Sequence, residues 1–315
     1  MVTEPRGNSK GFTCFFHLWS YDTQGRNIGI TREEGYKQCA LTKADCGLRN
    51  VRTVVKLGMV LVNLDDGAED FDQQIGNMLD DLVEPMCTHP LEVFHLHRVL
   101  MHANWKQWQE TNMELYHEWG HVANRATSIA APGYHERKWR IHPKGHGLIE
   151  PFNVQYGKFK GFGDRSSLTL PGLAAGEIRL VNLFPNTTVV LRATVVRIDT
   201  SIPIAPGVTL LEQRGLGIKG ESAEDRAQRR NHHNQFWGPF GRTLPEDIQF
   251  VEAVERANRH GGARYGLFAR HENLGAQDDE VMRAYYRVWG DHMGRKASDP
   301  LGHRQQHAEP VARRA

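Results

Sequence analysis

The chain has 315 residues, of which 39% are hydrophobic and 24% charged, as in globular proteins of one or two domains. Its 39 Lys and Arg residues and 37 Asp and Glu residues are interspersed, which argues against a nucleic-acid or membrane partner and favours a small-molecule substrate. The longest apolar run, residues 58–62, is too short to span a membrane, and the first residues lack the apolar core of a secretion signal. We therefore expect a cytoplasmic protein.

Cysteine and histidine usage indicates a metal. Four cysteines in a chain of this length, without a secretion signal, do not predict a disulfide framework. The 17 histidines are more than ordinary usage, and neutral imidazole is a common ligand of iron, zinc and copper. Composition thus predicts a metal but does not place it.

A first domain is predicted over residues 1–65. Residues 12–64 contain short β segments, separated by the turn "DTQGR" and bounded by Gly and Asp. The acidic stretch from 65 to about 90 predicts a helix at the passage to a second domain.

The second predicted domain, residues 66–298, mixes strands and helices. "LEVFHLHRVLMHANW" alternates like a strand, and the following "KQWQETNMELYHEWGHVANRA" has the period of one amphipathic helix. Residues 130–170 are rich in Gly and Pro and predict a loop. Three strands follow, namely "GEIRLVNLFP", "TTVVLRATVVRIDTSIPI" and "GVTLLEQRGLGI".

Three helices are predicted to complete this domain. One follows a Ser cap at "SAEDRAQRRNHHNQFW", and one has Thr243 as N-cap, Pro245 in its first turn and Gly261 past its end. The last is "DDEVMRAYYRVWGDHM", and residues 299–315 predict a disordered tail. The order of elements predicts an α+β fold, an all-β unit followed by a domain whose antiparallel sheet is packed by helices.

The strongest metal-site candidate is the pair His117 and His121. Their i, i+4 spacing puts both rings on one face of the predicted helix, and Glu114 precedes them on that face, where its carboxylate could orient a ligand imidazole. The pairs His142/His146 and His303/His307 share the spacing, but they lie in Pro- and Gly-containing or tail sequence.

Two histidines and one carboxylate form the ligand set of non-haem Fe(II) oxygenases. Asp247, at the start of a predicted helix, is a candidate for the carboxylate, although such a residue also favours the helix dipole. Asp278 and Asp279 are alternatives at the start of the last helix.

The run "CFFHLWSYDTQG" contains Cys14 and His17. It resembles the second half of a Rieske [2Fe–2S] motif, in which Cys-x-x-His is followed by an aromatic-containing strand, an Asp and a Gly turn. Without that context, Cys14 would be read as a buried thiol in a strand.

With two further motifs, the chain resembles the large (α) subunit of Rieske non-haem iron oxygenases, the ring-hydroxylating group. "NWKQWQETNMELYHEWGH" is similar to the family segment with two iron-binding histidines, and "GPFGRTLPEDIQFVEAVERA" to the segment with the third ligand. "DDEVMRAYYRVWGDHM" is similar to the late helix that follows, which disfavours Asp278 and Asp279. The resemblance covers residues 12–295 or so, with the motifs in the family order.

The resemblance implies roles for individual residues. His117, His121 and Asp247 would hold the mononuclear Fe(II). Glu114 would take the place of the carboxylate that links the Rieske cluster of one subunit to the iron of its neighbour, a position where the family more often has Asp.

Cys14 and His17 would be the second half of the cluster ligands. A Cys-x-His pair should precede them, but the chain has its only Cys-x-His downstream, at Cys87 and His89. We therefore expect an N-terminally truncated α subunit with an incomplete cluster, which would be inactive by itself.

The implied fold is a partial all-β Rieske-type unit followed by a helix-grip-like catalytic domain. The implied function is a terminal oxygenase that activates O2 at Fe(II) to hydroxylate or cis-dihydroxylate a small aromatic compound. Electrons would come from NADH through a reductase or ferredoxin and the Rieske cluster, in a homotrimer with or without a small β subunit.

Three alternatives remain open at this point. The Glu in place of the bridging Asp is compatible with a monooxygenase of a small sulfonate or amine, similar to methanesulfonate monooxygenase. The same histidines and carboxylate could serve a zinc-dependent hydrolase. The absent Cys-x-His is compatible with a noncatalytic relative.

Overall fold

A computed structural model describes residues 1–4, 7–115, 117–126, 134–155, 166–262, 266–269 and 279–296. The chain divides into two compact units, Met1–Glu69 and Asp70–Ala315. The sequence places this division at residue 65. The predicted disordered tail, residues 299–315, lies outside the described residues, as do Asp278 and the pair His303/His307.

The first unit consists of short strands, as its sequence predicts. Its five strands are β1 Gly11–Thr13, β2 Ser20–Asp22, β3 Asn27–Gly29, β4 Arg52–Lys56 and β5 Met59–Asn63. The first three form an antiparallel sheet, and β4 and β5 pair as a hairpin. Leu57 and Gly58 connect that hairpin with φ values of 51° and 75°, the left-handed conformation that suits two-residue hairpin turns.

A seven-stranded sheet forms the centre of the second unit, in the order β6-β12-β11-β10-β9-β8-β7. Its strands are β6 Leu91–Met101, β7 Trp139–Ile141, β8 Gly147–Asn153, β9 Glu177–Leu183, β10 Thr187–Arg192, β11 Val195–Ala205 and β12 Val208–Ile218. Every pair of neighbouring strands is antiparallel. The α+β fold with a large antiparallel sheet is therefore confirmed.

Seven α-helices accompany the sheet within the described ranges. They are α1 Phe71–Ile75, α2 Asp80–Cys87, α3 Trp105–Met113, α4 Val122–Ala126, α5 Ala223–Trp237, α6 Leu244–Arg259 and α7 Glu280–His292. Helices α3 and α5 pack on the sheet, and each also contacts α6. The side chains of Met101, Trp108, Leu211 and Val251 form a buried cluster that joins β6, α3, β12 and α6. This cluster holds the start of α6 beside α3.

Local sequence explains the helix ends. Ser222 caps α5 by accepting the N–H of Asp225 at 3.0 Å. Helix α6 has Thr243 at its N-cap and Pro245 in its first turn, as predicted, but the Thr243 hydroxyl donates to the carbonyl of Phe236 at 2.9 Å. Gly261, just past its end, has φ of 70°, where a side chain would be strained.

Three predicted elements are wrong. The single helix over residues 106–126 is instead α3, a 3-10 turn at His117–Gly120 and α4. The predicted loop at 130–170 contains β7 and β8, which pair with each other and with β9. The long strand "TTVVLRATVVRIDTSIPI" is two strands, β10 and β11, because the chain turns back at Ala193, whose φ is 48°.

Candidate metal centre

The end of α3 positions the two histidines. The backbone of Glu114 is extended, with φ of −119° and ψ of 159°, so the helix ends at Met113. The Glu114 carboxylate then accepts the backbone N–H of His117 at 3.1 Å through Oε2, which replaces a helical hydrogen bond at the start of the 3-10 turn. His117 and His121 therefore face each other across this turn, with ring centroids 5.3 Å apart.

Asp247 brings a carboxylate to the same point from the first turn of α6. Its Oδ1 lies 3.1 Å from Nε2 of His121 and 3.5 Å from Nε2 of His117. One ligand atom from each of the three residues lies within 4.8 Å of the others, and within the described part of the chain this is the only such group of three His, Cys, Asp or Glu residues.

Both imidazoles are held from behind by a carboxylate. Oε1 of Glu114 lies 2.5 Å from Nδ1 of His117, and Oε2 of Glu246 lies 2.7 Å from Nδ1 of His121. Because each Nδ1 is held by a carboxylate, Nε2, which faces Asp247, is the nitrogen that each ring would give to a metal. Sequence reasoning identified Glu114 but missed Glu246, whose only signal was its place beside Asp247.

Charge in the site favours a cation. Burial by itself would lower the pKa of His117, but the Glu114 and Asp247 carboxylates outweigh it and raise that pKa to about 9. Burial likewise opposes protonation of His121, whose pKa is nevertheless raised by Asp247 and Glu246. Four carboxylates, those of Glu114, Glu118, Glu246 and Asp247, thus act on two imidazoles.

The residues fit a divalent metal ion. Oδ1 of Asp247 is buried and receives no hydrogen bond of normal geometry, although two imidazole nitrogens face it. Leaving a buried carboxylate oxygen in this state costs free energy that a bound cation would recover. Two imidazoles and one carboxylate are the ligands of the non-haem Fe(II) triad and leave positions open for other molecules.

An aromatic side chain closes one side of the triad. The Phe250 ring lies 5.7 Å from the ring of His121 and 6.5 Å from that of His117. It also packs on Gly120, where a Cβ would come 2.7 Å from Cζ of Phe250. Glycine at position 120 therefore lets the 3-10 turn lie directly against α6.

The other candidates have different surroundings. His142 and His146 lie at the turn between β7 and β8, and His146 is occupied by two backbone hydrogen bonds, with Gln74 and Phe184. Asp279 stands at the N-cap of α7, where its Oδ2 accepts the backbone N–H of Ala269 at 2.7 Å. The histidine pair and Asp279 therefore do not belong to the group formed by His117, His121 and Asp247.

Cys14 and His17 lie in the turn between β1 and β2 of the first unit. The backbone N–H groups of Phe16 and His17 face the Cys14 sulfur and lower the pKa of its thiol, as suits a thiolate ligand. A Rieske cluster needs two thiolates and two imidazoles. Cys14 and His17 are not joined by a third nearby His or Cys among the described residues, so they offer half of a cluster site.

Comparison with known proteins identifies the family. Residues 88–295 match the family described as "Ring hydroxylating alpha subunit (catalytic domain)". The chain is 41% identical over 300 residues to the α subunit of 2-aminobenzenesulfonate 2,3-dioxygenase from an Alcaligenes species, a match that spans 95% of this chain and 76% of that protein. The chain belongs to the ring-hydroxylating oxygenase α subunits. This oxygenase is also 39% identical to the hydroxylase α subunit of methanesulfonate monooxygenase from Methylosulfonomonas methylovora, over 94% of this chain and 72% of that protein.

Solved structures share the fold of the oxygenase. Naphthalene 1,2-dioxygenase from a Rhodococcus species matches with a TM-score of 0.70 at 17% identity, over 91% of this chain and 76% of that one. A quaternary ammonium Rieske monooxygenase matches with a TM-score of 0.70 at 16% identity, over 92% and 74%. The resemblance to Rieske oxygenases is therefore confirmed, and the protein is the terminal component of such an enzyme.

Family membership supports an oxygenase, and both the dioxygenase and the sulfonate monooxygenase readings fit it. Enzymes of this family use a mononuclear iron and a Rieske cluster, take electrons from a ferredoxin or reductase, and form multimers. Its relatives are oxygenases, which argues against a zinc hydrolase. None of the described helices is both long and apolar enough to cross a membrane.

Proposed function

We propose that the protein oxygenates an organosulfonate, with Fe(II) held by His117, His121 and Asp247. The iron site is supported by one observation. The Nε2 atoms of His117 and His121 converge on Oδ1 of Asp247, while a carboxylate contacts Nδ1 of each ring. The substrate class is supported by two relatives, one named for 2-aminobenzenesulfonate and one for methanesulfonate. Because the 2-aminobenzenesulfonate enzyme is the more similar of the two, an aromatic sulfonate is the first choice.

The chain's own residues set the conditions for this chemistry. Bound Fe(II) supplies the activation of O2. Glu114 and Glu246 hold the protons on Nδ1 of His117 and His121, which fixes both rings and raises the basicity of Nε2. Phe250 packs against both rings on one side.

The supply of electrons is part of the same proposal. Cys14 and His17 would contribute one thiolate and one imidazole to a Rieske cluster that takes electrons from NADH through a reductase or ferredoxin. Glu114 would couple that cluster to the iron of a neighbouring subunit in a homotrimer, with or without a small β subunit. The proposal is supported by family membership and by the lowered pKa of the Cys14 thiol.

Replacing Asp247 tests the iron site. We expect Asp247→Ala to lose most of its iron in metal analysis of the purified protein, because a ligand and its charge are removed. Asp279→Ala is the matched control, since Asp279 lies at the N-cap of α7 and should leave the iron content unchanged. Loss of iron in the control but not in Asp247→Ala would contradict the assignment, as would stoichiometric zinc in the wild-type protein.

The substrate class needs an assay that does not depend on the cluster. Hydrogen peroxide is O2 already reduced by two electrons, so it can replace both O2 and the reductase. We expect the iron-loaded protein with peroxide to oxygenate 2-aminobenzenesulfonate. Methanesulfonate is assayed in parallel as the second candidate substrate. If the protein oxygenated toluene but neither of the two sulfonates, the proposed substrate class would be wrong.

A further inference from the structure

A row of polar side chains crosses the inner face of the large sheet. In the strand register His97 pairs with Gln213, Gln213 with Asp199, Asp199 with Thr188, and Thr188 with Asn182. Directly paired residues point to the same face, and the last four are at most 2% exposed. The covered face of an antiparallel sheet is ordinarily apolar, so this row needs an explanation.

At one end, the row is satisfied by the protein. Asn182 donates to the carbonyl of Asn112 in α3 at 2.9 Å and accepts from the Thr188 hydroxyl at 2.6 Å. In the same region, Gln109 of α3 donates to the hydroxyl of Ser201 at 2.5 Å. These contacts show that the row faces the helices.

At the other end, polar atoms lack partners. Neither side-chain atom of Gln213 and neither ring nitrogen of His97 makes a hydrogen bond of normal geometry. His233, which is fully buried on α5, also has two ring nitrogens without a hydrogen bond of normal geometry. The same holds for Nε2 of His95. Burying such groups without partners costs free energy, which a polar ligand would recover.

These unpartnered groups are close together. The centroids of the His95 and His233 rings lie 5.0 Å apart, those of His95 and His97 5.2 Å, and those of His97 and His233 5.9 Å. Gly215, which pairs with His95, makes room for His233, because a Cβ there would lie 2.9 Å from Cδ2 of that ring. The sheet and α5 therefore bring His95, His97, His233 and Gln213 together as one group, which we call the imidazole cluster.

The cluster offers hydrogen-bond donors without a net negative charge. Burial lowers the pKa of His95 and His97, and lowers that of His233 to about 3, so each neutral ring offers an N–H donor. The Gln213 amide also carries N–H donors, although it interacts with the Asp199 carboxylate and with His97. The nearby carboxylate of Asp199 is already paired with Arg197, 2.7 Å from Oδ2 to Nη2, so it offers no free charge to a cation.

We propose that the imidazole cluster binds the anionic head group, a sulfonate or carboxylate, of the oxygenase substrate. This inference rests on the proposed function, because it places the substrate of that reaction. Three oxygens of a sulfonate can accept from three imidazole N–H donors, while the charges of Arg197 and Asp199 are paired with each other. Asp199, which pairs with Gln213 of the cluster in the strand register, and Arg197 both interact electrostatically with the Asp247 carboxylate.

Equilibrium binding tests the proposal without turnover. Benzenesulfonate, benzoate, benzylamine and toluene are titrated calorimetrically into the anaerobic protein, with iron measured in the same samples. We expect His97→Leu and Gln213→Leu to weaken benzenesulfonate binding about 10-fold or more while toluene binding and iron content stay unchanged. His97→Asn keeps a donor and should retain most of the affinity, and His260→Leu, an exposed control, should match the wild type.

Each outcome has a distinct meaning. Weakened binding of benzoate together with benzenesulfonate supports the shared anionic chemistry, and the tighter of the two identifies the head group. Unchanged sulfonate binding in both Leu variants, or loss of benzylamine binding instead, would overturn the inference. If the wild-type protein holds no iron yet binds benzenesulfonate through His97, the proposed function fails while this inference stands.

Discussion

Glu246 and His121 are 125 positions apart in the chain, yet Oε2 of Glu246 lies 2.7 Å from Nδ1 of His121. The next residue, Asp247, places Oδ1 3.1 Å from Nε2 of the same ring. Two consecutive residues of α6 therefore hold one imidazole from opposite sides. The first turn of α6 thus supplies a candidate iron ligand, Asp247, and the carboxylate of Glu246, which orients His121.

Replacing Glu246 by Gln should weaken iron binding. The amide cannot stabilise a partly positive ring as the carboxylate does, so we expect the iron affinity to fall about 10–100-fold. Titration of the metal-free protein with Fe(II) under anaerobic conditions measures this. Glu252→Gln serves as control, because Glu252 lies on the same helix but binds the backbone N–H of His102. Equal effects of both changes would show that α6 is merely destabilised.

Replacing Glu114 by Gln should separate iron binding from turnover. Glu114 touches His117 without reaching the position where the three ligand atoms converge, so the variant, like Glu246→Gln, should still load iron at saturating Fe(II). We expect peroxide-driven turnover about 10–100-fold slower, since a carboxylate behind a ligand imidazole is lost. Metal analysis and peroxide-driven oxygenation rates of the same preparation measure both effects. Stoichiometric loss of iron would instead make Glu114 a direct ligand.

His146 should make stability depend on pH. Its Nε2 lies 3.0 Å from the carbonyl oxygen of Gln74, to which it donates, and its Nδ1 accepts the backbone N–H of Phe184 at 2.9 Å. Burial is the main reason why its pKa falls to about 4 in the folded protein. The unfolded chain, with a pKa near 6.5, binds more protons below that pH, so stability falls as pH drops from about 6.5 to 4, by about 3 kcal/mol in all.

Thermal unfolding across this pH range measures the effect of His146. His146→Gln can both donate and accept without titrating, so its melting temperature should change less than that of the wild type between pH 6.5 and 4. His260→Gln replaces an exposed histidine and should behave like the wild type. Identical pH profiles for all three proteins would show that His146 is not responsible.

A protein of these 315 residues alone should lack a Rieske signal. Cys14 and His17 offer one thiolate and one imidazole, and a cluster with half its ligands does not assemble. We expect neither the visible absorption nor the reduced-state EPR signal of a Rieske centre, and no reductase-dependent turnover. A full signal that disappears in Cys87→Ser would show that Cys87 and His89 complete the site.

Sequence alone predicted much of this architecture. The strands and α6 carry strong local signals, namely β-branched runs and a Pro and acidic residues in the first helical turn. The family motifs also indicated the three residues that the structure brings together. The break after α3 was missed because no Gly or Pro marks it; the chain leaves the helix at Glu114, whose carboxylate is used in the site.

Strand register could also not be predicted from the sequence. His97, Gln213 and Asp199 lie on three strands, and only the pairing of those strands shows that they form one row. Likewise, nothing local distinguishes Glu246 from any acidic residue in a first helical turn. Its role depends on the packing of α6 beside the segment after α3.

The placement of the candidate triad on two distant segments would give a bound iron a structural role. His117 and His121 follow α3, whereas Asp247 opens α6, so a bound ion closes a long loop of chain much as a cross-link does. Loss of the ion would leave the Glu246–His121 hydrogen bond and the contact of Phe250 with Gly120 to hold these segments together. A bound iron would therefore link the segment after α3 to the start of α6, and its depletion should raise the mobility of this region before that of the sheet.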